Sequence, residues 1–170
     1  NDEIPENWEV AELKFWIDND KNGDWGEEHP IGKYIKEVEC IRGMDINGLN
    51  GIKELNSPKR YILEKNSNKI LKSGDLIIEI SGGSDNQSTG RLAYINQATL
   101  ERFNSPIICS NFCRTISLPS IKYMYNFVQM WNRLFDAGVF FGWEGKTSGI
   151  KNLLFDSLIN HYKSTVPEYK

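Results

Sequence analysis

Between Ser120 and Ala137 apolar side chains recur every three or four residues, at Ile121, Met124, Tyr125, Val128, Trp131, Leu134 and Phe135. That spacing predicts an amphipathic helix with its apolar stripe inward, Ser120 placed to cap the start and Gly138 to end it. Elsewhere the period shortens. Leu76–Ile80 is a β-branched apolar run, and Arg91–Ile95 resumes after a polar loop, so the pair predicts a hairpin with a long tip. Glu37–Arg42 predicts a short mixed strand with Val38, Cys40 and Arg42 on one side, and Ile107–Ile108 and Phe112–Leu118 predict two more. Glu9–Ile17 reads as a short helix or helix–strand edge, and Ile150–Tyr162 as a further buried element around Leu153, Leu154, Leu158 and Ile159. Asp18–Pro30 (DNDKNGDWGEEHP) reads as turns rather than an element. The pattern predicts an α+β domain: a mixed, twisted β-sheet with strands near 38–42, 76–80, 91–95 and 112–118, flanked by the 120–137 helix.

Length and composition narrow the class. At 170 residues, 39% hydrophobic and 25% charged, the chain fits a single domain over 1–170 and neither a disordered segment nor a multidomain enzyme. No apolar run is long enough to span a bilayer and the acidic opening is unlike a leader, so a cytoplasmic protein without membrane partners is expected. Cys40, Cys109 and Cys113 cannot all pair, which suits a reducing compartment. The net charge of −3 argues at first against a polyanion partner. Its distribution reverses that. Residues 1–30 hold ten acidic side chains against two lysines, and residues 31–170 carry a net +5.

Within the basic remainder, residues 58–72 (PKRYILEKNSNKILK) form the most basic window, and two Gly/Ser/Thr loops with nearby cations recur, SGGSDNQSTGR at 81–91 and GWEGKTSGIK at 142–151. Such loops expose backbone N–H groups and small hydroxyl and amide groups, the groups that contact phosphates and base edges. Neither matches a nucleotide-binding glycine motif, and no cofactor is expected. His29 and His161 have no nucleophile signature beside them, and Cys109-x-x-x-Cys113 lacks partners for zinc, so neither catalysis nor a metal site is expected. Asp18, Asp20, Asn22, Gly23 and Asp24 follow the opening spacing of a calcium loop, but the closing position is His29. With five tryptophans, this spacing motivates a competing class, a calcium-assisted carbohydrate-binding module.

IPENWE at 4–9, GDWGEEHP at 23–30, CIRGMDI at 40–46, GDLIIEISGG at 74–83, STGRLAYI at 88–95, SNF at 110–112 followed by Arg114, and TSGIKNL at 147–153 follow one another along the chain. This ordered series resembles a target recognition domain of the DNA-specificity subunit of Type I restriction–modification systems. The resemblance implies a non-catalytic reader of one half of a bipartite double-stranded DNA target. Adenine methylation would belong to a modification subunit, and ATP-driven translocation and cleavage to a restriction subunit. It also implies one recognition domain, with the spacer helices and second recognition domain lying outside these residues. Base-edge contacts are expected from Asn86, Gln87, Arg91, Lys146 and Thr147, and phosphate contacts from Lys59, Arg60, Lys65 and Lys151. On that division Arg91→Ala lowers discrimination between sites, whereas Lys59→Ala weakens binding to all sequences alike.

Overall fold

A computed structural model describes residues 4–168, the side chain of Thr147 excepted. The chain opens with β1, Trp8–Glu12, a 3-10 turn over Leu13–Trp16, and β2, Asn19–Asn22. Strand β3, Tyr34–Ile41, runs through a 3-10 turn at Gly43–Asp45 into α1, Ile46–Leu49. Strand β4, Lys59–Leu63, and a 3-10 segment at Glu64–Lys69 lead to β5, Leu76–Glu79, and β6, Ser81–Gly82. Next come β7, Leu92–Tyr94, α2, Gln97–Leu100, β8, Ile107–Cys109, and β9, Cys113–Ser117. The remainder is α3, Met124–Asp136, β10, Glu144–Thr147, β11, Ile150–Leu153, α4, Phe155–His161, and β12, Lys163–Pro167.

The fold is α+β, with mainly antiparallel sheets and flanking helices. Strands β5 and β7 form the expected hairpin, Leu76 opposite Tyr94 and Ile78 opposite Leu92. Strand β9 pairs with the other edge of β5 and β2 lies outside it, giving the order β2-β9-β5-β7. Every residue of β5 is buried because the sheet separates two cores. Leu76 and Ile78 face Trp16, Phe127 and Trp131, while Ile77 faces Ile41, Ile46 and Ile107. A strand covered on both faces loses the alternation that a half-buried strand shows.

Four expectations change. The strand near 38–42 does not join this sheet: β3 pairs antiparallel with β4 and parallel with β8. Its Val38 and Cys40 pack on Ile62 and Ile108 in a small core of their own. Asp18–Pro30 is not all turn, since Asn19–Asn22 pairs with Arg114–Ser117 at the sheet edge. There the partner strand's backbone outweighs the weak β-propensity of Asn and Asp. Ser120 makes no side-chain cap, and the chain enters α3 through a 3-10 turn at Ile121–Tyr123. Met124, Phe127 and Trp131 are buried, while Tyr125 on the opposite side of α3 and Ile121 in the turn stay exposed. Finally, 150–162 divides into β11 and α4 at the exposed Leu154. Gly138 does end α3 in the left-handed conformation, φ 75°. No helix of the described residues is long and apolar enough to cross a membrane.

The three cysteines are unpaired and buried. Desolvation pushes the Cys40 thiol up to about 12 and Cys109 to about 11, and raises Cys113 as well. Alkylation by iodoacetamide at pH 8 is therefore expected to run at least about a hundredfold slower in the native protein than in urea. A folded pKa raised above the unfolded one favours folding below roughly pH 8.5, and that contribution is lost as pH climbs through 11–12. Rapid native labelling at pH 8 would contradict the burial of these thiols.

Candidate nucleic-acid interface

The two glycine-rich loops singled out by sequence lie side by side. The β10–β11 hairpin pairs with β6 through Lys151 opposite Gly82 and Asn152 opposite Ser81, making a three-stranded ledge. Ser148 and Gly149 turn the hairpin with φ of 52° and 79°, the two positive values that match a tight turn to strand twist. Cross-links tie the loops together. The Ser81 hydroxyl donates to Asn152 Oδ1 at 2.6 Å, the Thr89 N–H donates to Glu144 Oε1 at 3.2 Å, and Lys151 Nζ donates to the Ser84 carbonyl. Lys151 Nζ also lies 3.7 Å from Glu144. At the other tip Ser84 and Gln87 exchange backbone hydrogen bonds of 2.8 and 3.3 Å, which projects Asp85 and Asn86 into solvent. Gly90 lets this loop settle on the core: at φ 104°, an added Cβ would lie 2.7 Å from the Phe140 ring.

At the foot of the ledge is a cleft of about 470 Å³. Its floor holds an ion pair between Arg91 and the fully buried Glu79, Nη2 to Oε2 2.5 Å, with Nε 3.2 Å from both carboxylate oxygens. Two glycines make room for that carboxylate. A Cβ at Gly82 would stand 2.6 Å from Glu79 Oε2, and one at Gly43 would stand 3.3 Å away. Arg42, at the end of β3, is held by Asp45 through Nε at 2.9 Å and Nη2 at 3.1 Å, and Nη2 donates to the Asn56 carbonyl at 2.9 Å. Hydrogen bonding to Glu79 raises the pKa of Arg91, and hydrogen bonding to Asp45 raises that of Arg42.

Trp25, Met44 and Phe112 form an exposed rim. Trp25 is placed by an Asp24 turn, in which the Gly26 N–H donates to Asp24 Oδ1 at 2.9 Å. The Arg60 guanidinium stacks over its ring at 4.2 Å and donates to the Trp25 and Gly26 carbonyls at 2.8 and 3.1 Å. Phe112 is anchored by its carbonyl, which accepts from the Ile80 and Ser81 N–H groups at 2.8 and 3.1 Å.

These placements bring some of the expected site residues together. Asn86, Gln87 and Lys146 lie on the ledge, and Thr147 pairs with Ile150 through its backbone, its side chain lying outside the described residues. Arg91 lines the cleft and Arg60 backs its rim. Lys151 is turned inward along the ledge toward Ser84 and Glu144. Two lysines lie elsewhere. Lys59 is 3.1 Å from Glu37 across the β3–β4 pair, where the ammonium holds that carboxyl below its usual range. Lys65 lines a separate surface groove with Lys33 and Ile35. Asp18–Asp24 does not wrap around a point: Asp20 and Asn22 are spread along β2, and Arg114 reaches both, at 3.4 and 2.9 Å. Among the described residues no three His, Cys, Asp or Glu side chains converge as metal ligands.

Of the cleft-lining residues only Arg91 was in the sequence-based set; those it missed include Trp25, Arg42, Met44, Glu79, Asn111 and Phe112. Their signal was present in the motifs. GDWGEEHP supplies Trp25, CIRGMDI supplies Arg42 to Met44, GDLIIEISGG supplies Glu79 to Gly82, STGRLAYI supplies Arg91 and SNF supplies Ser110 to Phe112. Five motifs scattered over almost ninety positions thus meet in one cleft.

No family model matches the chain, and no curated protein matches it in sequence. Solved structures do match. The crystal structure of a Type I restriction–modification system S subunit from M. genitalium superposes over 100% of this chain with a TM-score of 0.54 and 16% identity. A chain from a structural study of complex assembly and conformational transition of the type I R-M system superposes over 97%, with a TM-score of 0.54 and 12% identity. The present chain spans 36% and 35% of the length of those two. At these identities the likeness is one of fold, and the 170 residues share the fold of about a third of a Type I S subunit.

Proposed function

We propose that this chain reads one half-site of a bipartite DNA target for a Type I restriction–modification complex, and that it directs modification and restriction subunits without catalysing either reaction. The observation that carries this reading is the joining of both glycine-rich loops in one ledge, beside the place where the five motifs meet. The ledge would be the element that enters a groove. Asn86, Gln87 and Lys146 would present amide and ammonium groups to base edges, with Thr147 next to them in sequence as a further candidate. Arg60 at the cleft rim would fix position on the backbone by charge, with no sequence preference of its own; Lys59 and Lys65 would do so only where the duplex extends beyond the ledge, and Lys151 is already engaged by Ser84 and Glu144.

A single domain neutralises few phosphates and lacks a second half-site, so its own affinity is weak and falls with salt. Fluorescence anisotropy on a random-sequence duplex is expected to show at least about a tenfold loss of affinity between 50 and 200 mM salt. Lys146→Ala is expected to weaken binding about three- to tenfold. Absence of binding to any member of a randomised duplex library at 50 mM salt would overturn the reading.

A further inference from the structure

The cleft at the foot of the ledge has a shape that groove reading does not use. Base edges of a stacked duplex lie at the bottom of a groove and are reached by elements that protrude. A concavity of about 470 Å³ cannot reach them. The part of DNA that enters a concavity is a base taken out of the stack, held between aromatic or apolar faces and read by hydrogen bonds.

We infer that this cleft binds an unpaired, unstacked purine base, guanine in preference to the others; the inference rests on the DNA-binding reading above. Three observations select that occupant. The rim offers ring and thioether faces, Phe112 about half exposed and Met44 more so, while the other side of Trp25 is already covered by Arg60. The floor is neutral overall, because Arg91 is matched by Glu79 and Arg42 by Asp45, and a neutral floor favours a heterocycle over a phosphate. Its two arginines keep unused donors. Among the described residues, Nη1 of Arg42 and of Arg91 donates to no protein acceptor. Guanine is the base whose O6 and N7 form two adjacent acceptors, the pair that guanidinium groups recognise. Ser81 and Gly82 belong to both the ledge and the cleft wall, so a strand lying on the ledge passes the cleft mouth.

The test titrates the four deoxynucleoside monophosphates and inorganic phosphate into isotopically labelled 170-residue chain, followed by NMR at the Trp25 indole N–H and the Arg42 and Arg91 Nε–H resonances. All four nucleotides carry the same phosphate, so differences among them report the base. The expected result is saturable shifts at these three groups with deoxyguanosine monophosphate binding tightest, and at least about a fivefold loss in Phe112→Ala, a substitution at an exposed ring. Equal responses to all four nucleotides, matched by inorganic phosphate, would mean anion binding only and overturn the inference. Equal binding of indole would mean an apolar slot without base recognition and overturn it too. Duplex binding is measured in parallel. Retained duplex binding with no nucleotide response defeats the cleft proposal alone, whereas loss of both defeats the DNA-binding reading.

Discussion

Replacing Arg91 by alanine is expected to lower the folding free energy by about 3–5 kcal/mol, measured by urea unfolding. Glu79 is the reason. Its side chain is 1% exposed, and among the described residues Arg91 makes all three hydrogen bonds to its carboxylate, at 2.5 to 3.2 Å. Without the guanidinium the carboxylate is left unpaired on the cleft floor, held between Gly82 and Gly43. Removing both charges should be far milder, because two well-packed apolar side chains of similar size replace a buried pair at little net cost. The double substitution Glu79→Met with Arg91→Met is therefore expected to recover most of the loss. An Arg91→Ala protein within about 1 kcal/mol of the parent would show that the pair is not what holds this floor together. The expected loss of DNA discrimination in Arg91→Ala accordingly has to be separated from unfolding. Arg91→Lys keeps the charge and removes the planar fork, so it tests recognition with less damage to the fold.

Gly23→Ala is expected to cost at least about 3 kcal/mol, or about 6–12 °C in melting temperature. The chain leaving β2 crosses the β8–β9 turn so closely that an added Cβ would lie 1.9 Å from the Ser110 carbonyl oxygen and 2.4 Å from that of Cys109. Both obstacles are backbone, and no flexible side chain can move aside. The crossing is also hydrogen-bonded: the Gly23 N–H donates to the Cys113 carbonyl at 3.3 Å and the Asp24 N–H to the Cys109 carbonyl at 2.9 Å. Because Trp25 follows directly, the substitution should also displace the cleft rim, seen as a change in near-ultraviolet circular dichroism. A variant melting within about 2 °C of the parent would show that the crossing has slack.

The candidate site was partly legible beforehand, and the split has a physical origin. Exposed small and charged residues announce a loop that can touch a ligand, which is why Asn86, Gln87 and Lys146 could be named from composition. Trp25, Met44 and Phe112 could not be separated in that way from residues that fill a core, since an aromatic ring reads alike in both places. Glu79 was hidden for a similar reason. It sits at the end of an apolar strand, and only the approach of Arg91 from the paired strand makes its burial tolerable.

What the sequence by itself determined is local: the helix ending at Gly138, the β5–β7 hairpin with its long tip and the short strands at β8 and β9. These follow from side-chain period and from the backbone freedom of glycine, properties that neighbours along the chain decide. The tertiary structure alone decided that β3 builds a second sheet with β8, that an acidic run becomes an edge strand, and that the two glycine-rich loops share one ledge. Hydrophobic period reports that a residue is buried and says nothing of what buries it. Strand partners and close backbone crossings are set by groups tens of residues away, as with β3 against β8 and Gly23 against Ser110.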